Sequence, residues 1–118
     1  MSYIQVMFPD KVERGLKFNN LAVREFWKTI DIGRYNATAN YAMVWGGLVG
    51  NYFAKGIDQD FTFEQVIDWV DQMTQEQVDA ISVVLAGVGS YKEGVAKIEA
   101  AMSDVEKKSN TKKRKTTM

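Results

Sequence analysis

The chain contains neither cysteine nor histidine, and its only proline is Pro9. Without cysteine there is no disulfide framework, no thiol nucleophile and no thiolate metal site. Without histidine, the usual general base near neutral pH and the commonest zinc ligand are both missing. Catalysis by carboxylates, lysine or tyrosine stays open, but most familiar catalytic constellations are excluded. Long hydrophobic runs are missing too. The longest stretch of apolar residues and glycine, "YAMVWGGLVG" at 41–50, is followed at once by Asn51 and falls short of the ~18 residues a membrane span needs. The leading "MSYIQVMFPDK" has no basic region, no long apolar segment and no small-residue cleavage site, so a cytoplasmic location is expected.

What remains is ordinary for a globular protein: 118 residues, 46% apolar and 25% charged, enough for one domain with a core of its own. Formal net charge is zero, but the zero is uneven. All fifteen acidic residues precede residue 107, so residues 1–106 carry −6 and "KKSNTKKRKTTM" at 107–118 carries +6. This segment has no aromatic or aliphatic residue before Met118 and cannot offset its own ordering entropy. Residues 1–106 are therefore expected to form a helical domain, and 107–118 a basic disordered tail. Such a tail can touch nucleic acid or lie against its own acidic body. The lack of interleaved aromatics disfavours the first.

Hydrophobic periodicity predicts a mainly α fold, a compact bundle of about five helices with a short β-hairpin in front. "YIQVMF" at 3–8 is rich in β-formers, "PD" at 9–10 marks a turn, and "GLKFN" at 15–19 offers a second strand. "NNLAVREFWKTI" predicts a helix of about ten residues, opened by capping asparagines. Residues 37–53 carry Tyr41, Val44, Trp45, Leu48 and Tyr52 at spacings of three and four, a second helix. Gly46 and Gly47 inside it cost about 1 kcal/mol each relative to alanine. Either another helix approaches closely there, or the helix kinks. Gly56 is expected to close it. Three capping boxes follow, "TFEQ" at 62–65, "TQEQ" at 74–77 and "SYKE" at 90–93. Each sets a hydroxyl three residues ahead of Gln or Glu, delimiting helices of about 63–73, 75–87 and 91–107. The last carries Tyr91, Val95, Ile98, Met102 and Val105 at steps of four, three, four and three. That two-heptad seam suits docking in a groove of this domain or of a second copy.

Candidate sites are few. Glu64, Asp68 and Asp71 tempt as an acidic centre, but at about 100° per residue they fall opposite Phe63, Val66, Trp69, Val70 and Met73. A solvated face is the better account. Asp58 and Asp60 in "DQDFTFE" suggest calcium, yet the spacing lacks the glycine and regular oxygen ligands of a calcium loop. "GGLVG" at 46–50 has no preceding strand and no Lys-Ser or Lys-Thr after it, so it is no phosphate loop. The aromatics read mainly as core. Two candidate contact regions remain: Tyr52 with Phe53, and the seam from Tyr91 to Val105. No catalytic residue, cofactor or metal site is expected.

The order of the pieces carries a resemblance. "LKFNNLAVREFWK", then "YAMVWGGLVGNYFAKG", then "FTFEQVIDWVDQMTQEQVDAISVVL" resembles the tail assembly chaperones of long-tailed bacteriophages, most tellingly in "LKFN", "WGGL" and "FTFEQVIDWVDQM". The likeness covers about residues 3–86. It implies binding without catalysis: such chaperones coat the long coiled-coil tape-measure protein and recruit tail-tube subunits. Many also have a frameshifted longer form, whose extension would begin in the lysine-rich 107–118. The expected partners are thus the tape-measure protein and tail-tube subunits, with self-association open and no membrane. The alternative is a small nucleic-acid-associated protein acting through the basic tail.

Overall fold

The computed structural model describes residues 2–97, 99 and 100; the expected tail at 107–118 lies outside them, as do Ile98, Met102 and Val105. Strands β1 (Tyr3–Met7) and β2 (Glu13–Lys17) form an antiparallel hairpin. Helices α1 (Asn20–Thr29), α2 (Tyr35–Lys55), α3 (Phe63–Gln72) and α4 (Gln75–Ala86) follow, with a short 3-10 turn Ile32–Arg34 ahead of α2. A fifth helix, α5, is described over residues 89–97. Over the described residues the fold is mainly α, five α-helices and a hairpin.

In the hairpin Tyr3 pairs with Lys17, Gln5 with Gly15 and Met7 with Glu13. The turn is closed by Phe8 N–H donating to the Val12 carbonyl at 3.0 Å. Lys11 takes the left-handed conformation, φ 67°, that a three-residue hairpin loop demands. Alternation turns Val6, Phe8, Leu16 and Phe18 into the core, all buried. Two strands alone are marginal, and here they lie on helices.

The glycines of α2 explain how. A Cβ on Gly46 would lie 2.6 Å from the Ala22 carbonyl oxygen, and one on Gly47 2.8 Å from Leu16 Cβ. One on Gly50 would collide with the Lys17 carbonyl oxygen. Of the two readings left open by the sequence, close approach is therefore the one realised: α1 and β2 both dock where α2 has no side chains. Asn19 ties the joint, accepting from Ala22 N–H at 2.9 Å as the cap of α1 and donating to the Gly50 carbonyl at 3.0 Å.

Gly56 closes α2 in the left-handed region, φ 68°. Both capping boxes at Thr62/Gln65 and Thr74/Gln77 are formed reciprocally. The third, at 90–93, is not. Lys92 N–H donates to the Val88 carbonyl at 3.1 Å, so α5 starts two residues early. Ser90 then falls inside the first turn, its buried Oγ without a hydrogen-bond partner. Val88 and Tyr91 pack against the core, and that burial sets the helix start in place of the local hydroxyl.

Two aromatic groups fasten the layers. Phe8, Tyr52, Phe61 and Trp69 join hairpin, α2 and α3 through edge-on and tilted contacts of 5.0–6.5 Å. Tyr91 of α5 stacks on Trp27 of α1 at 5.7 Å and meets Phe26 edge-on at 5.5 Å. Gly94 lets α5 lie flat there, since a Cβ on it would stand 2.5 Å from Trp27 Nε1.

Candidate functional site

Glu64, Asp68 and Asp71 are all exposed, on the side of α3 away from buried Val66, Trp69 and Val70. Asp68 accepts from Gln72 Nε2 at 3.1 Å, and Asp71 accepts from the Tyr41 hydroxyl at 2.6 Å. That hydrogen bond, with some burial, pushes the Tyr41 pKa up. The three carboxylates do not converge. Among the described residues no cluster of three acidic, histidine or cysteine side chains is placed to hold a metal ion.

A polar centre that the sequence reading missed is Arg14, the one buried charged side chain among the described residues, 7% exposed. It sits on the inward face of β2, paired across the hairpin with Val6. Its two terminal nitrogens donate to Asp10 Oδ1 and Oδ2, both at 2.9 Å. Its guanidinium lies 4.3 Å from the Trp69 ring centre and 5.3 Å from that of Phe8. Burial works against its charge, but hydrogen bonds to Asp10 and Tyr52 outweigh this and raise its pKa. The Arg14 bond holds the Asp10 carboxyl below its usual range. Burial raises the Tyr52 pKa; its Arg14 contact lowers it and its Asp60 contact raises it. The cation is enclosed by two rings, a carboxylate and a phenol, an arrangement that fastens hairpin to helices. The signal in the sequence is the alternation itself, which assigns residue 14 to the same face as Leu16 and Phe18.

The contact candidates divide. Tyr52 is 8% exposed and belongs to the core, so the expectation of a Tyr52–Phe53 surface pair is corrected. Consecutive helix positions point about 100° apart, and only Phe53 faces out, 72% exposed. Phe53 separates two shallow hollows. One, about 370 Å³, is lined by Asn20, Leu21 and Arg24; the other, about 250 Å³, by Val49, Ile57, Asp58 and Gln59 among others. Of the seam, Tyr91 is committed to Trp27 and Phe26 of its own chain, and Val95 is half-buried. Its remaining members lie outside the described residues.

A further surface belongs to α4. Residues 80–91 contain no charged side chain, although Ala80, Ser82, Val83, Ala86, Gly87 and Gly89 are all exposed. Val83, 73% exposed, stands opposite the buried stripe of Val78, Ile81 and Leu85. A solvent-facing helix position commonly carries charge, as Glu76 and Asp79 do in the first half of α4; its second half is apolar and low. No described helix is long and apolar enough to cross a membrane. Comparison with protein-family models, curated proteins and solved structures finds no match to the chain.

Proposed function

We propose that the chain is a non-catalytic binding module, a tail assembly chaperone of the kind made by long-tailed bacteriophages. In this reading it holds the tape-measure protein and brings tail-tube subunits to it. The sequence resemblance over residues 3–86 motivates the choice. The observation that carries it is the exposed stretch without charge at the C-terminal half of α4 and the turn after it, where Val83 projects beside Ala80, Ala86 and Gly87, one turn beyond the exposed Asp79. Small residues allow a second helix to approach closely, and a single apolar knob gives a weak contact that many copies along one client make firm. The exposed carboxylates of α3 keep the unladen protein soluble. The test is co-expression with a long coiled-coil tape-measure protein. Co-purification that survives removal of 107–118 and is lost on Val83→Asp supports this reading. Loss on removing the tail, with salt-sensitive retention of nucleic acid by the intact chain, overturns it in favour of a nucleic-acid role.

A further inference from the structure

The surface around Phe53 is separate from the α4 ridge and has properties of its own. A large ring stands in water directly beside hollows with room to receive such a ring. Arg24 rims one hollow and Asp58 the other. Neither charge forms an ion pair among the described residues, where the one ion pair joins Arg14 and Asp10. Knob, socket and both signs of charge thus follow one another across a single face: Arg24, hollow, Phe53, hollow, Asp58. Turned over by a two-fold rotation, such a series matches itself.

We propose that this face is a self-contact, forming a two-fold dimer with a second copy of the chain. Arg24 of each copy meets Asp58 of the other, and the two Phe53 rings meet near the two-fold axis, each leaning into a hollow of the other copy. In an isologous interface each contact occurs twice, so one knob and one ion pair become two of each. The half-buried Leu21 and Val49 and the 50% exposed Ile57 supply the apolar surround. A purely apolar client helix would leave Arg24 and Asp58 idle, and a polyanion would be repelled by Asp58. A second copy satisfies both. The face is small, so the dimer forms and dissociates with concentration and is not obligate.

The experiment is sedimentation equilibrium of the full chain between about 10 and 500 µM, a range suited to a small interface. Four variants accompany it: Phe53→Asp, Arg24→Glu, Asp58→Lys and the double Arg24→Glu/Asp58→Lys. All three residues changed are surface positions, and circular dichroism checks that each variant keeps its helix content. The wild type is expected to pass from monomer to dimer. Phe53→Asp should stay monomeric, and each single charge change should weaken association about tenfold. The double variant should recover to within about threefold of wild type, because each reversed charge again faces its opposite. A wild type monomeric throughout, single variants that dimerise as well as wild type, or a folded double variant that does not recover would each overturn the proposal. Client capture by Phe53→Asp is scored separately, so loss of the dimer and loss of the chaperone reading are distinct results.

Discussion

The guanidinium carbon of Arg14 sits 4.3 Å from the ring centre of Trp69, so a strand of the hairpin and the buried face of α3 meet through a cation. Few arrangements tolerate a buried charge; this one supplies a two-pronged carboxylate and two aromatic faces. Replacing Arg14 by alanine removes all of these and leaves a void between Phe8 and Trp69. A loss of about 2–4 kcal/mol is expected from the cavity left behind and the lost contacts of the cation with the two rings. Lysine should rescue little, because it lacks the planar fork that matches both Asp10 oxygens. Urea unfolding midpoints of the two variants, followed by tryptophan fluorescence, measure both effects.

The same pair makes stability depend on acid. Asp10 titrates below its ordinary value of 3.8 because the Arg14 hydrogen bond favours the carboxylate. Its contribution is therefore complete above the unfolded-state value and is lost as pH falls through the lower folded-state value. Unfolding free energy of the wild type should decline on acidification below about pH 4 more steeply than that of Asp10→Asn. The two curves should converge at the acidic end, and chemical denaturation at successive pH values from neutral downwards reads the difference.

Glycine positions in the helices should respond in opposite directions. Alanine is the better helix former by about 1 kcal/mol, so Gly89→Ala, where an added Cβ meets nothing within 4 Å, should stabilise by up to that amount. At Gly50 the same methyl would strike the Lys17 carbonyl oxygen and lie 2.7 Å from both Ala22 Cβ and Asn19 Oδ1. The clash falls on backbone and on a cap, neither of which yields cheaply. A net loss of about 1–3 kcal/mol is expected, the usual range for overpacking, and thermal unfolding of the two variants decides the sign.

Much of this architecture was legible because it is local. The boxes at 62–65 and 74–77 and the closing Gly56 depend on residues within one turn, and each forms as read. The glycines of α2 announced a close approach, but not which element approaches: β2 and α1 do so from long range. Tyr52 and its sequence neighbour Phe53 part company because a helix sends consecutive side chains to different faces. Arg14 escaped notice because its meaning lies in the pairing partner and in Trp69, some fifty-five residues away along the chain. Contact surfaces are the least legible part, since an exposed Val83 and a buried Leu85 two residues on differ only by the packing of the whole.

Ser90 offers the sharpest contrast between local pattern and realised structure. If Ser90 capped α5, as "SYKE" suggests, its replacement by alanine would cost about 1 kcal/mol, as Thr74→Ala should for the cap of α4. In the structure Thr74 Oγ1 accepts from Gln77 N–H at 3.1 Å, and the Gln77 side chain in turn donates to the Met7 carbonyl at 3.2 Å. Losing Thr74 therefore loosens both a helix start and a tie to the hairpin. Ser90 Oγ, by contrast, is buried with no hydrogen-bond partner, and a desolvated hydroxyl without a partner is a liability that its removal relieves. Ser90→Ala should accordingly leave stability unchanged or raise it by up to about 1 kcal/mol, while Thr74→Ala lowers it. Denaturation midpoints of the two single variants and their combination test this directly. The sites lie on separate helices, so the combined change should equal the sum of the two.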